Sequence, residues 1–514
     1  MRRLQQTVRS ITSNWLLLGI NVGLSFFMSP FMVGKLGSVY YGIWAVAMQF
    51  TGYLFLLDFG VRESVIRYTA KYVARKQGRQ LNQILNTALV IYVPITLLCA
   101  LLAGACAWAV PHWFKIDPAH ITEARLAVFF VGLTIAQNFV FNVFTGILQG
   151  LNRFDIANAA GLVFTFIRAA AVVIALTLGY KLVALAAINL TLAILGGTVT
   201  TIAATRLLRS AGVPFHLKIP PRRRLFALGR NVFGYGFYVL INNIAQKINF
   251  ASDAIVIGLF LPIAAVTPYA IAGSLIDYLR SLMVSTAQVF SPLSSKLHTQ
   301  RRPEDLERLL IRGAKLTVLL SLPIAITFAV LGGQFIGLWM GHEYMQAAGE
   351  VLLVLGVLQI ISAPHYIISS VLYGMSKHGA MGVIRVGEAA VKLALSIFLV
   401  RRMGILGVAI ATAISHSVVV LGLLPTLVAQ SIGVSIRRYF IGAYWRPLLA
   451  SVPFLAGALW LRSYLPARNL LEFFIEIGVL CCIYLAATYV LVLDDEERMT
   501  IRRVMGRKPA PATG

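Results

Sequence analysis

Apolar runs of about twenty residues, separated by short polar connections, make up most of this chain. A helix rising 1.5 Å per residue needs about that length to cross a hydrocarbon core about 30 Å thick. The runs fall near 14–33, 39–57, 84–109, 124–148, 156–178, 182–204, 233–260, 266–292, 315–338, 350–373, 379–400, 404–428, 441–461 and 471–493. They predict an all-α integral membrane protein with about fourteen transmembrane helices. Strands of a membrane barrel would alternate apolar and polar positions over about ten residues, and no such alternation dominates. Pro94, Pro323, Pro364 and Pro453 lie inside runs, which membrane helices tolerate because neighbours re-satisfy the freed backbone groups. The first run continues from Trp15 to Val33 without a small-residue cleavage site, so an uncleaved first span is expected.

Composition agrees with this pattern. The 514 residues are 58% hydrophobic and 12% charged, where soluble domains carry roughly a quarter charged residues. The net charge of +26 invites a nucleic-acid partner, but position excludes it: the basic residues punctuate apolar runs and form no patch or stripe. With the N-terminus placed in the cytoplasm, 31 of the 45 Lys and Arg fall on cytoplasmic connections, 8 on the opposite side and 6 within spans. That asymmetry puts both termini in the cytoplasm. Cys99, Cys106, Cys481 and Cys482 all lie in apolar runs with neither metal-ligand nor disulfide spacing.

The basic stretch Arg206–Arg230, with its Pro-Pro-Arg-Arg-Arg, contains no apolar run and reads as a cytoplasmic linker. It divides the chain into an N-terminal six-helix bundle (1–205), the linker (206–230), a second six-helix bundle (231–430), two added spans (431–493) and a cytoplasmic tail (494–514). Offsetting the halves by 224 residues lays Leu148-Gln-Gly150 on Leu372-Tyr-Gly374, Arg153 on Lys377 and Arg168 on Lys392. Both halves enter from the same side, so the repeat is expected to be parallel, about an axis along the membrane normal, and such repeats belong to transporters.

Ionisable groups within spans cost roughly 2.5–3.5 kcal/mol each on insertion scales and so call for a reason. Here they are Arg168, Lys247, Asp253, Asp277, Arg280, Arg385, Glu388, Lys392 and, nearer an end, Arg446. In the seventh span Asn242, Gln246, Asn249 and Asp253 recur at i, i+4, i+7 and i+11, one helical stripe with Lys247 beside it. Such a stripe either walls a water-filled cavity or packs against neighbouring helices. In the eleventh span Arg385, Glu388 and Lys392 stand at i, i+3 and i+7, where Glu388 can pair with either cation. Leaving out Arg446, five cations face three anions, a balance of about +2 that suits an anionic substrate such as a pyrophosphate or acidic sugar. Arg168, Lys247, Arg280, Arg385, Lys392, Asn242, Gln246 and Asn249 are therefore candidate substrate-binding groups. Asp253, Asp277 and Glu388 are the carboxylates available to a coupling ion. On the cytoplasmic side, Asp58–Gln83 can form an amphipathic helix whose basic residues meet anionic headgroups.

No catalytic constellation accompanies these groups. The eight histidines are scattered without an HExxH or HxxxH pair, and no phosphate-binding GxxxxGK[ST] loop or GxSxG elbow is present. No metal or cofactor is expected. A membrane glycosyltransferase or polymerase would need a large polar loop, and the connections opposite the linker are short.

Several segments together carry a family resemblance. Leu56-Leu-Asp-Phe-Gly-Val-Arg-Glu-Ser-Val-Ile-Arg-Tyr68 follows a second span opening Leu36-Gly-x-x-Tyr-Tyr-Gly-Ile-Trp44. Leu81-Asn82 then opens the third span and Gly150-x-Asn-Arg-Phe-Asp155 the fifth. Asp253-Ala-Ile-Val-Ile-Gly258, Tyr269 and Ser291-Pro292 complete the series. This sequence resembles the polysaccharide-transporter branch of the multidrug/oligosaccharidyl-lipid/polysaccharide exporter superfamily over nearly its whole length. The resemblance implies a flippase moving undecaprenyl-pyrophosphate-linked oligosaccharide across a bacterial cytoplasmic membrane by alternating access, without bond-making. Coupling to H+ or Na+ and association with polysaccharide polymerase and export machinery are implied with it. Lipid II flippases and multidrug exporters of the superfamily are the rival substrate classes; the drug exporters often carry a carboxylate in the first span, and this chain has none there.

Overall fold

The computed structural model describes residues 2–219, 221, 244, 247–249, 251–375, 377–495 and 497–499, with side chains for all but 2–18 and 378. Among these the chain is helical, with one isolated bridge between Lys115 and Pro262. It divides into two compact units, Met1–Ala270 and Ile271–Gly514.

Nine helices among the described residues are long and apolar enough to cross a membrane. Two of these, Gly19–Asp58 and Gly379–Ile432, run to 40 and 54 residues, about twice what one crossing needs. Both contain a break where the hydrophobic pattern predicts two spans to meet. Helix α1 (Arg2–Gly52) breaks at Gly37, φ 75°, and the long helix His378–Val418 breaks at Gly404, φ 61°. A positive φ costs glycine nothing because it lacks a Cβ, so one residue does the work of a loop. Helices Val266–Gln288 and Arg446–Tyr464 stand where two further spans are expected. Most of the expected seventh span lies outside the described residues. The expected span 350–373 is two helices, His342–Ser362 and His365–Gly374, because Pro364 cannot donate the hydrogen bond that would carry one into the other.

In the first unit, α3 (Gly78–Trp113), α4 (Ile121–Gly150) and α6 (Leu182–Ser210) pack around Leu81, Leu85, Tyr92, Phe139, Ile147 and Leu208. Within the expected amphipathic segment Asp58–Gln83 the chain forms the shorter helix α2 (Val61–Ala74), and residues 78–83 open α3 instead. Its Val61, Ser64, Val65 and Thr69 are buried, while Arg67, Lys71 and Arg75 are exposed. Between α1 and α2 the chain turns through Phe59 and Gly60, both left-handed, and the Tyr92 hydroxyl donates to Asp58 at this corner. The chain leaving α6 is clamped to α3 by two asparagines one turn apart. Asn82 donates to the Pro214 carbonyl (2.9 Å) and accepts from the His216 amide (2.9 Å). Asn86 donates to the His216 carbonyl (2.8 Å) and accepts from the Lys218 amide (2.9 Å). The side-chain amides thus stand in for a neighbouring strand, which satisfies backbone groups that would otherwise need water.

The second unit is built around α9 (Pro303–Met340), with Leu310, Ala314, Ala325, Ile367, Val371, Leu372 and Leu424 in its core. Here α7 denotes Val266–Gln288, α8 Phe290–Thr299, α10 His342–Ser362, α11 His365–Gly374 and α12 His378–Val418. The last two long helices are Arg446–Tyr464 and Leu470–Leu491. They are fastened to α9 by the Tyr484 hydroxyl on the Leu319 carbonyl (2.9 Å) and by Lys315 on Glu497 (2.8 Å). Arg446, which the sequence places near a span end, pairs with Asp494 at 2.6 Å.

The aligned glycines do the same work in each unit. A Cβ on Gly150 would lie 2.7 Å from the Ile66 carbonyl and 2.6 Å from Thr69 Cβ of α2; one on Gly374 would lie 2.5 Å from the Ser291 carbonyl and 3.1 Å from Ser294 Cβ of α8. The helix ends also match: the Arg153 amide donates to the Leu148 carbonyl (2.8 Å), and the Lys377 amide to the Leu372 carbonyl (2.9 Å). Gly150→Val and Gly374→Val are each expected to destabilise by about 1–3 kcal/mol through overpacking. Gly478→Val, at a position with nothing within 4 Å, should change little. Thermal unfolding of the purified protein in detergent measures the difference.

Candidate functional site

Helix α12 is inside-out. Val383, Val391 and Phe398 are 76%, 57% and 52% exposed, whereas Arg385, Glu388 and Lys392 are 6%, 5% and 1% exposed. In water the opposite face would turn inward; in a bilayer the apolar side chains take the lipid and the charged ones must find partners inside the protein. The i, i+3, i+7 spacing read from the sequence therefore marks the interior face of this helix.

Glu388 is held on both oxygens. Arg385 Nη1 donates to Oε2 at 2.9 Å, and His416 Nδ1 donates to Oε1 at 2.5 Å. The other arm of the Arg385 guanidinium donates to Nε2 of His365, at the start of α11. The His365 and His416 rings meet edge-on, 5.2 Å between centroids. Both histidines are buried. Beside them, the Tyr366 hydroxyl and the Ser362 hydroxyl each reach Gln359 Oε1 at 3.4 Å. On α7, Arg280 pairs with Asp277 at 3.0 Å, and both act electrostatically on Tyr366, as Arg385 does. Lys392 lies one turn beyond Glu388 and is almost wholly enclosed.

In the first unit the candidate groups form a second cluster. Asn249 and Asp253 are buried. The Tyr269 hydroxyl donates to Asp253 Oδ2 at 2.7 Å, and the Tyr53 hydroxyl donates to the Lys247 carbonyl at 3.2 Å. Tyr53 lies within electrostatic reach of Asp253, and the Lys247 ammonium comes within 3.2 Å of where a Cβ on Gly52 would sit. Asn242 and Gln246, the first half of the expected stripe, lie outside the described residues. Arg168 sits on the exposed face of α5 (Phe154–Thr177), a helix that buries only Val172, Ala175 and Leu176.

The structure thus brings Arg385, Glu388, Asp277 and Arg280 into one neighbourhood, and Lys247, Asn249 and Asp253 into another. Sequence spacing missed His365 and His416, which stand 20 and 28 residues from their partners. The available signal was a polar residue inside an apolar run, the criterion that singled out the charged groups. Among the described residues no group of three or more His, Cys, Asp or Glu side chains is arranged to hold a metal ion.

Comparison with known proteins agrees with this architecture. The family model for polysaccharide biosynthesis proteins matches residues 7–298, and that for MatE residues 239–387. A Bacillus subtilis (strain 168) protein named uncharacterized membrane protein EpsK is 23% identical over 436 residues, covering 84% of this chain and 85% of its own. The putative O-antigen transporter of Shigella flexneri is 21% identical over 384 residues, covering 75% and 88%. Among solved structures, the lipid II flippase MurJ in an inward closed conformation has a TM-score of 0.70 at 15% identity, covering 98% of this chain and 100% of its own. That likeness is one of fold, and it agrees with the all-α membrane architecture expected from the sequence.

The buried network makes a stability prediction. Removing one partner of a buried ion pair leaves the other charge uncompensated, at about 3–5 kcal/mol. Arg385→Ala and Glu388→Ala are each expected to destabilise by that order. The double variant should fall short of the sum by about 0.5–3 kcal/mol. Unfolding midpoints of the four proteins in detergent give the coupling directly.

Proposed function

The chain belongs to the polysaccharide biosynthesis protein family, and from that premise we propose that it flips undecaprenyl-pyrophosphate-linked oligosaccharide across the bacterial cytoplasmic membrane by alternating access. It is a multi-pass membrane transporter of the multidrug/oligosaccharidyl-lipid/polysaccharide exporter superfamily and not an enzyme. The observation that carries the substrate assignment is the inward charged face of α12, where Arg385, Glu388 and Lys392 are all buried. Cations on an interior face suit an anionic group, and a diphosphate offers pairs of oxygens that the planar arginine fork can meet bidentately. The name of the Shigella flexneri relative, an O-antigen transporter, points the same way.

In this proposal Arg168, Lys247, Arg280, Arg385, Lys392, Asn242, Gln246 and Asn249 meet the substrate. Asp253, Asp277 and Glu388 respond to the coupling ion. The two related bundles span 1–205 and 231–430, both termini lie in the cytoplasm, and the exposed cations of α2 rest on anionic headgroups. Polymerase and export machinery would act on the glycan once it has crossed.

Arg168→Ala and Lys392→Ala are expected to reduce surface polysaccharide by on the order of tenfold or more, the loss of about 1.4 kcal/mol of substrate interaction. Protein levels in the membrane should stay unchanged by immunoblot. Full export in both variants would exclude the cationic-site model. Arg168→Lys should retain partial export if a point charge suffices there, and none if the guanidinium clamps a phosphate. Reporter fusions after Ser210 and Gln300 should both report the cytoplasm.

A further inference from the structure

The hydrogen bonds around His365 have only one possible assignment. A guanidinium has no acceptor atom, so the Arg385 arm donates and His365 Nε2 accepts through its lone pair. The proton of the neutral ring then sits on Nδ1, which is buried and has no hydrogen-bond partner among the described residues. A second proton on His365 can go only to Nε2, the atom Arg385 occupies. A proton there would set N–H against N–H and cation against cation. The proton and the guanidinium therefore compete for one lone pair.

Arg385 is also the group with something better to bind. An imidazole nitrogen is a neutral, single acceptor, whereas a diphosphate is charged and bidentate. When the guanidinium turns to such an anion, the buried Nε2 is left without a donor, and a proton from water restores one. The ionisable groups acting on His365 are Arg385 and His416; those acting on the adjoining Tyr366 are Arg280, Arg385 and Asp277. Glu388 stays held through His416 Nδ1, so a carboxylate remains close to the new imidazolium.

We propose that His365 exchanges Arg385 for a proton when Arg385 engages an anionic diphosphate, so that anion binding at this site takes up one proton. No covalent bond in the substrate changes: one N–H bond forms at Nε2, the proton comes from solvent, and it leaves when Arg385 returns. The choice of a diphosphate rests on the flippase reading above; the competition for Nε2 does not.

The test uses the purified full chain and inorganic pyrophosphate as the probe. Calorimetric titrations in two buffers of different ionisation heat count the protons taken up, and the exchange is read as uptake by the wild type in excess of that by a variant unable to take the proton. As pH falls, affinity should tighten in the wild type relative to that variant, by up to tenfold per pH unit for a single linked proton. His365→Gln keeps an acceptor for Arg385 but cannot take the proton. It should take up fewer protons per pyrophosphate than the wild type, the probe's own titration being common to both. Binding to the wild type without proton uptake overturns the proposal, as does undiminished uptake in His365→Gln. If pyrophosphate does not bind at all, the diphosphate reading fails, and the exchange is decided by nitrogen-15 spectra of labelled histidines. In Arg385→Gln, His365 should carry a second proton at a pH where the wild-type ring is neutral. An unchanged protonated fraction overturns the exchange.

Discussion

A carboxylate in the middle of a membrane helix must be neutralised by groups brought to it from elsewhere in the chain. Glu388 meets that demand with Arg385 from its own helix and His416 from beyond the Gly404 break, and Arg385 in turn recruits His365 from the start of α11. The interior of the second unit depends on this arrangement. It fixes which face of α12 turns inward, where α11 begins, and how the chain after Gly404 lies against the chain before it. The apolar contacts around Leu310, Ile367 and Leu424 add packing, but lipid is as apolar as leucine and gives those contacts little direction. Direction comes from the polar groups.

Close backbone approach is the second organising device. Where interior and exterior are both oily, helices gain most by coming close enough for dispersion and backbone contacts to accumulate. Gly150 and Gly374 allow this at corresponding places, each setting the last turn of its helix close against a short neighbouring one, α2 or α8. Gly42 allows it again, where a Cβ would lie 2.4 Å from the Ile263 carbonyl. The two asparagines of α3 replace apolar contact with a hydrogen-bonded clamp on residues 214–218, which holds the chain where it leaves α6.

Much of this could be read from the sequence because hydrocarbon imposes a simple rule on composition. Span positions followed from the apolar runs; the break at Gly37 fell between predicted spans and that at Gly404 on the first residue of one. The inward face of α12 followed from three charges at helical spacing. The helix stop before Pro364 was not foreseen, because a proline inside a span ends a helix in one context and only bends it in another, and neighbours decide which. The histidines were missed for a different reason. Spacing identifies partners on one helix, but His365 and His416 reach Glu388 and Arg385 through a helix junction and a helix break, and neither path leaves a period in the sequence. The alignment of Gly150 with Gly374 showed the reverse case, since close approach demands the same residue wherever it recurs.

Lys315 is 8% exposed, and it pairs with Glu497, a residue 182 positions later. Ribosomes deliver the chain in order, so α9 must enter the bilayer, and α10 to α12 must gather around it, while that ammonium still lacks its carboxylate. That pair forms only when Glu497 has emerged and folded back against the first half of α9. The segment carrying Glu497 therefore acts as a latch that closes after the helices it holds, and a chain lacking that carboxylate would leave the buried Lys315 ammonium without it.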